Sequence, residues 1–172
     1  LAVHCSAAKH LVDTYRNSYD RIPNYWRTCD RILSAMERGV KHQFGPVSTD
    51  KDCVLMPNGL YLQYKDLRRD DEGSWRYTGK RGEKQYIYGG KLAENLTQAL
   101  SRIVLTDAML AVGSRYKIVL TVHDEIVCCV REEEADEAAD FISDVMSKAP
   151  SWCKDLPVAC ETGISKSYGE AK

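Results

Sequence analysis

The sequence has no apolar run approaching the ~20 residues that a membrane-spanning helix needs, and no secretory signal pattern. Nor does one sign of charge dominate: 24 Lys and Arg stand against 25 Asp and Glu, for a formal net charge of -1. No global positive field announces a nucleic-acid binder, so any such contact has to rest on local basic clusters. The seven cysteines contain no C-x-x-C pair, and seven is odd. That argues against a zinc ribbon or a disulfide framework and points to a reducing, cytoplasmic setting. No internal repeat or low-complexity tract is present. The first residue is Leu1 rather than Met, which leaves open whether the natural polypeptide starts there.

What remains is an ordinary globular composition, 44% hydrophobic and 28% charged over 172 residues. A chain of this length forms one domain, or one lobe of a larger enzyme, with a real core. The opening "SAAKHLVDTYRNSYDRIPNYWRTCDRILSAMERGV" predicts two helices meeting near Ser18 to Pro23. Ala7, Leu11 and Tyr15 share one face of the first. Ile22, Trp26, Ile32, Leu33 and Met36 are expected inward on the second, with Pro23 tolerated in its first turn and Gly39 as its stop.

From Lys41 to Tyr88 the pattern changes to short β-like runs and turns. "DCVLMPNGLYLQYKDL" is a hairpin signal around Asn58-Gly59. The same region holds the basic patches, Lys65, Arg68 and Arg69, then Lys80, Arg81 and Lys84, interleaved with Tyr and Trp. Solvated turns on a small sheet would explain them equally well. "KLAENLTQALSRIVLTDAMLAVG" carries Leu92, Leu96, Ala99, Ile103 and Leu110 at helical spacing and predicts a long packed helix ended by Gly113. Strands are expected on both sides of "HDE". After them comes an amphipathic helix in "REEEADEAADFISDVMSKAP", burying Ala135, Ala138, Ala139, Ile142, Val145 and Met146. A last strand is expected in "DLPVACETGISKSYGE". The order implies an α+β fold: a small, mainly antiparallel sheet with helices packed on one side, preceded by a helix pair. Cys128 and Cys129 are neighbours on a strand, so their side chains should point to opposite faces.

"LTVHDEIVCCV", residues 120 to 130, raises the chemical question. Three polar residues interrupt an apolar strand, and an unpartnered buried charge is too costly to be retained without a pair or a metal. Strand, acidic turn, strand would put Asp124 and Glu125 at the tip of a rigid hairpin, one facing a cleft and the other supporting it. Such hard oxygen ligands suit Mg²⁺, which takes one or two carboxylates plus substrate phosphates. The bland alternative is a His-Asp pair capping a hairpin turn. The acidic "REEEADE" run reads as a solvated helix face.

With its surroundings the triplet becomes specific. "YGGKLAENLTQALSR" followed by "VLTVHDEIV" resembles the C-terminal half of the palm in family A DNA polymerases, and within that family the bacteriophage branch. "SAAKHLVDTYRNSYDRIPNYW" is similar to the segment after the fingers helix. "MPNGLYLQY" and "LPVACETGISKSYG" look like the family's hairpin and closing strand. The resemblance implies a helical segment over residues 1–40 and a palm portion over 41–172. It makes Asp124 a ligand of the catalytic Mg²⁺ ions, Glu125 its helper carboxylate, and His123 a neighbour of the primer terminus. Gln98 matches a glutamine that reaches the minor-groove side of the primer–template. Arg102, Lys91 and Asn95 become further candidates for DNA contact, with a surface salt bridge as the competing role for Arg102. A glutamine suits that position because minor-groove acceptors are alike for all base pairs, so it checks geometry without reading sequence.

The implied activity is DNA-directed DNA polymerisation in the cytoplasm of a host cell. The implied partners are primer-template DNA, deoxynucleoside triphosphates and the N-terminal polymerase portion. Three positions depart from the family pattern: Ile103 where an acid is commoner, Leu60 where a basic residue follows the turn, and Cys129 where related strands often carry an acid. The family's first motif, with the other metal-binding aspartate, and its fingers helix have no counterpart in these 172 residues. The two-ion site would be completed by residues outside this chain, and the isolated chain is expected to be inactive. The competing reading is a non-catalytic DNA-binding or assembly module derived from a polymerase. A stand-alone metal nuclease lacks a further ligand at any separate motif.

Overall fold

The computed structural model describes residues 2–171. It is α+β, with four α-helices and nine short antiparallel strands among the described residues. The strands form three small sheets rather than one: four-stranded, three-stranded and two-stranded. The local reasons are visible in the chain. Asp66 sits in the left-handed region at φ 56, which breaks extension between the first two sheets. A helix of 25 residues separates the second sheet from the third.

The chain packs as two compact units, Leu1–Ala99 and Leu100–Lys172, dividing within that helix. The first unit opens with α1 (Ala2–Ser18) and α2 (Arg21–Glu37). On α2, Cys29, Ile32, Leu33 and Met36 recur at helical spacing and are all buried. Ile22, expected inward, is 37% exposed instead. The bonds that tie α2 to its sheet lie at the opposite end, where Asp52 N–H donates to the Met36 carbonyl (3.2 Å) and Lys51 Nζ to the Glu37 carbonyl (2.6 Å). On α1, Leu11 is 72% exposed and Tyr15 46%, so the face they share is not a core face.

Gly39 closes α2 as expected. At φ 66 its N–H reaches the Met36 carbonyl (3.1 Å) while Val40 N–H reaches that of Ala35 (2.9 Å). This double clasp satisfies two orphan carbonyls at once and needs a left-handed residue between them.

The first sheet is a meander of β1 (Gln43–Phe44), β2 (Val47–Asp50), β3 (Cys53–Leu55) and β4 (Tyr61–Gln63). Between β3 and β4 the turn runs Met56-Pro57-Asn58-Gly59, closed by Gly59 N–H to the Met56 carbonyl (3.0 Å), with Gly59 at φ 81. Pro57 presets the φ of the second turn position and Gly59 takes the left-handed one, which is why "PNG" marks this hairpin. The second sheet joins β5 (Arg68–Arg69), β6 (Trp75–Thr78) and β7 (Lys84–Ile87). Buried Val54, Tyr64, Trp75, Ile87, Leu92 and Leu96 belong to this unit.

The long helix α3 (Gly89–Gly113) begins where Asp30 Oδ1 accepts the Gly89 N–H at 2.7 Å. A Cβ on Gly89 would stand 2.1 Å from the Trp26 carbonyl oxygen, so only glycine allows this approach. The second unit takes the rest of α3, β8 (Ile118–Val122), β9 (Glu125–Cys128) and α4 (Ala135–Met146). Its core is Val112, Tyr116 and Ala138, packed by Ile118, Ile126, Cys128, Phe141, Ile142 and Val145. Cys128 joins that core and Cys129 is exposed, as strand alternation requires. Leu110 is 76% exposed, against expectation. The run Glu132–Glu134 is a short 3-10 turn leading into α4. No strand forms in residues 155–166, where Pro157 lacks a ladder donor and Gly163 weakens extension.

Candidate functional site

The acidic triplet lies where the sequence puts it, at the end of a hairpin. Val122 pairs with Glu125, so His123 and Asp124 alone make the turn between β8 and β9. Two-residue hairpin loops need a positive φ at their first central position to match the twist of the strands. Here that residue is His123, at φ 52. Glycine or asparagine takes such a conformation readily, and a bulkier side chain takes it at a cost. A register shift between Ile118 and Leu120 adds a kink on the β8 side. Such irregularities re-aim side chains near strand ends.

The two carboxylates then part company. Asp124, in the turn, is exposed, and among the described residues no hydrogen bond or ion pair reaches its oxygens. Glu125, the first residue of β9, is half-buried and accepts a hydrogen bond from the Tyr168 hydroxyl at 2.7 Å. A phenol donating to an ionised acid makes a charge-assisted bond, roughly twice as strong as a neutral one. Tyr168 belongs to the 3-10 turn Tyr168–Glu170. It lies 43 positions from Glu125, a separation no local pattern reveals. The quoted "SKSYG" was the only pointer to it.

No group of three His, Cys, Asp or Glu side chains able to hold a metal is found among the described residues. Mg²⁺ usually keeps several waters and is bound by one or two carboxylates plus substrate phosphates. An exposed Asp124 on a stiff turn, with Glu125 fixed beside it, fits part of such a shell.

The remaining candidates sit on α3. Lys91, Asn95 and Gln98 follow at i, i+4 and i+7, one stripe of the helix within the first unit. Lys91 Nζ pairs with Glu94 at 2.9 Å, and that carboxylate raises the lysine above its ordinary range. Asn95 is half-buried, and its Nδ2 donates to the Tyr64 hydroxyl at 3.0 Å. Its amide thus already serves the core of its unit. Gln98 is exposed. Arg102, further along α3 in the second unit, is exposed and makes no ion pair among the described residues.

Comparison with known proteins finds the chain similar, over most of its length, to a segment of a phage DNA polymerase. The relative concerned is the DNA polymerase of Bacillus phage SP02, to which the chain is 28% identical over 174 aligned residues. The match covers 92% of this chain and 26% of that polymerase, so the chain spans about a quarter of its relative's length. No protein-family profile matches, and no solved structure matches.

Proposed function

We propose that the chain is the C-terminal palm portion of a family A, bacteriophage-type DNA polymerase. On this reading residues 1–40 follow the fingers and residues 41–172 carry the acidic hairpin. The observation that carries it is the turn itself: an exposed Asp124 beside a left-handed His123, with Glu125 held by Tyr168. A non-glycine residue kept in that conformation fits a site where geometry matters more than stability.

In the reaction the primer 3′-hydroxyl attacks the α-phosphorus of a deoxynucleoside triphosphate and pyrophosphate leaves. Mg²⁺, when bound, supplies charge stabilisation at the attacking and leaving oxygens. Asp124 is the residue of this chain that would hold it, and Glu125 would support that shell. The rest of the ligand set belongs to the N-terminal polymerase portion. Within this chain, Gln98 and Arg102 would meet the primer–template, His123 would lie by the primer end, and Lys91 would contact the backbone after leaving Glu94. Asn95 would act through its tie to Tyr64.

The test is primer extension in Mg²⁺ with the complementary portion of a phage polymerase supplied in trans. Extension should need both parts, and Asp124→Ala should lower it roughly a hundredfold or more. Should a folded pair give no extension while still holding primer–template, the chain is a non-catalytic DNA-binding module.

A further inference from the structure

The second sheet has one face in the core and one in water. In its register Arg69, Trp75 and Ile87 form one cross-strand row, and Trp75 and Ile87 are buried. The alternate row is Arg68, Arg76 and Tyr86, and Thr78 opposite Lys84 lies two residues further along the same face. Side chains directly opposite on paired strands share a face, so these five project together, away from the core.

That outer face combines two chemistries. Tyr86 and Tyr88 are each 51% exposed, with ring centroids 5.7 Å apart and planes tilted by 36°. The Arg76 guanidinium lies 5.1 Å from the Tyr86 ring centre, so the aromatic platform is edged by a cation. Arg68 and Lys84 are exposed and make no ion pair among the described residues. Of the five acids in this stretch, Asp71 and Glu72 lie exposed in the β5–β6 turn and the other three accept hydrogen bonds. Asp70 accepts from Arg76 Nε (2.8 Å), Asp66 from the Thr78 hydroxyl (3.0 Å), and Glu83 from Gln85 Nε2 (3.0 Å) and the Arg81 N–H (3.0 Å).

A pair of neighbouring tyrosine rings with cations at their margin suits an anionic partner able to stack on them. A polyanion carrying flat aromatic groups meets both requirements. Duplex DNA offers phosphates but keeps its base faces stacked inside, whereas a single strand offers both. We infer that the outer face of β5–β6–β7 binds single-stranded nucleic acid, with Tyr86 and Tyr88 as the stacking platform and Arg68 and Lys84 on the backbone. The inference goes beyond the acidic hairpin, and rests on the polymerase reading only for the strand being a template or displaced strand.

Fluorescence anisotropy of a labelled oligothymidylate with the whole 172-residue chain tests this, with a blunt duplex of equal length as comparison. The single strand should bind, and any duplex binding, which the proposed α3 contacts would carry, should not change in the Tyr86 variants. Tyr86→Leu should weaken strand binding about tenfold, while Tyr86→Phe, which keeps the ring, should bind as the parent does. Replacing both Arg68 and Lys84 by Gln should flatten the slope of log affinity against log salt by about one to two units. Leu11→Gln, on the exposed face of α1 and outside both proposed surfaces, should leave strand binding unchanged. The inference is overturned if the chain does not bind the strand, if Tyr86→Leu weakens duplex binding as much as strand binding, or if Tyr86→Phe loses as much as Tyr86→Leu. Far-UV circular dichroism on each variant guards against simple unfolding.

Discussion

Glu125 and Tyr168 illustrate how much one hydroxyl can decide. The bond between them fixes the rotamer of a carboxylate beside Asp124 without touching any reacting atom. On the proposed polymerase reading Tyr168 is a positioning residue, and Tyr168→Phe should lower kcat of the reconstituted pair roughly tenfold. The nucleotide KM should stay near the parent value and the Mg²⁺ requirement should rise. A purely structural role would instead lower the thermal midpoint without moving the Mg²⁺ dependence.

Tyr64 is the buried counterpart. At 2% exposure its phenol is pushed up to about 12, chiefly by burial, with the Asn95 hydrogen bond opposing weakly. Its unfolded value is about 10. A raised pKa in the native state means the unfolded chain releases its proton first as pH climbs. The contribution of Tyr64 is thus complete below about pH 10 and is lost as pH rises toward 12. Tyr64→Phe should remove that part of the alkaline decline in the urea midpoint. At neutral pH the same change should cost about 1 kcal/mol for the lost hydrogen bond. The hairpin position of Asp124 and Glu125 is legible in sequence because polar residues between two apolar runs mark a turn. Tyr168 and Asp30 are not, because their partners are set by tertiary packing between distant residues.

At the scale of elements, punctuation was read better than burial. Gly39, Pro57-Asn58-Gly59 and the HDE turn each impose a backbone conformation that few residues supply, so the local sequence determines them. Gly39→Ala tests the point. A Cβ there would meet Lys51 only at 3.6 Å, an ordinary contact, so the penalty is conformational. It should destabilise the chain by about 1 kcal/mol, visible as a lower urea midpoint at unchanged slope.

Burial needs a partner, and a helix stripe does not say whether one exists. Leu11, Tyr15, Ile22 and Leu110 satisfy the periodicity of core positions and are exposed all the same. The strand expected in "DLPVACETGISKSYGE" failed differently. Its apolar residues suit a strand, but Pro157 and Gly163 stand within the run, and no ladder includes it.

For the molecule as a whole, the class α+β follows from the alternation of periods along the chain. The division between Ala99 and Leu100 does not, because it falls inside an unbroken helix where no loop, glycine or charge run marks it. A net charge of -1 likewise hides the local organisation, since the basic rows and the acidic turns cancel in the sum. Whole-chain affinity for DNA should accordingly come from particular faces. Primer extension in trans asks whether those faces and Asp124 serve one reaction.

The Tyr168 bond also bears on how the protein is handled at the bench. A purification handle appended after residue 172 would share its tether with the hydroxyl that steadies Glu125, four residues away. Pulling that tether toward a resin or a sensor chip would tug on the acidic hairpin itself. A handle on the opposite end adjoins α1, whose side chains from Ser6 to Ser18 are exposed. On the proposed reading, activities compared between the two taggings would differ for mechanical reasons.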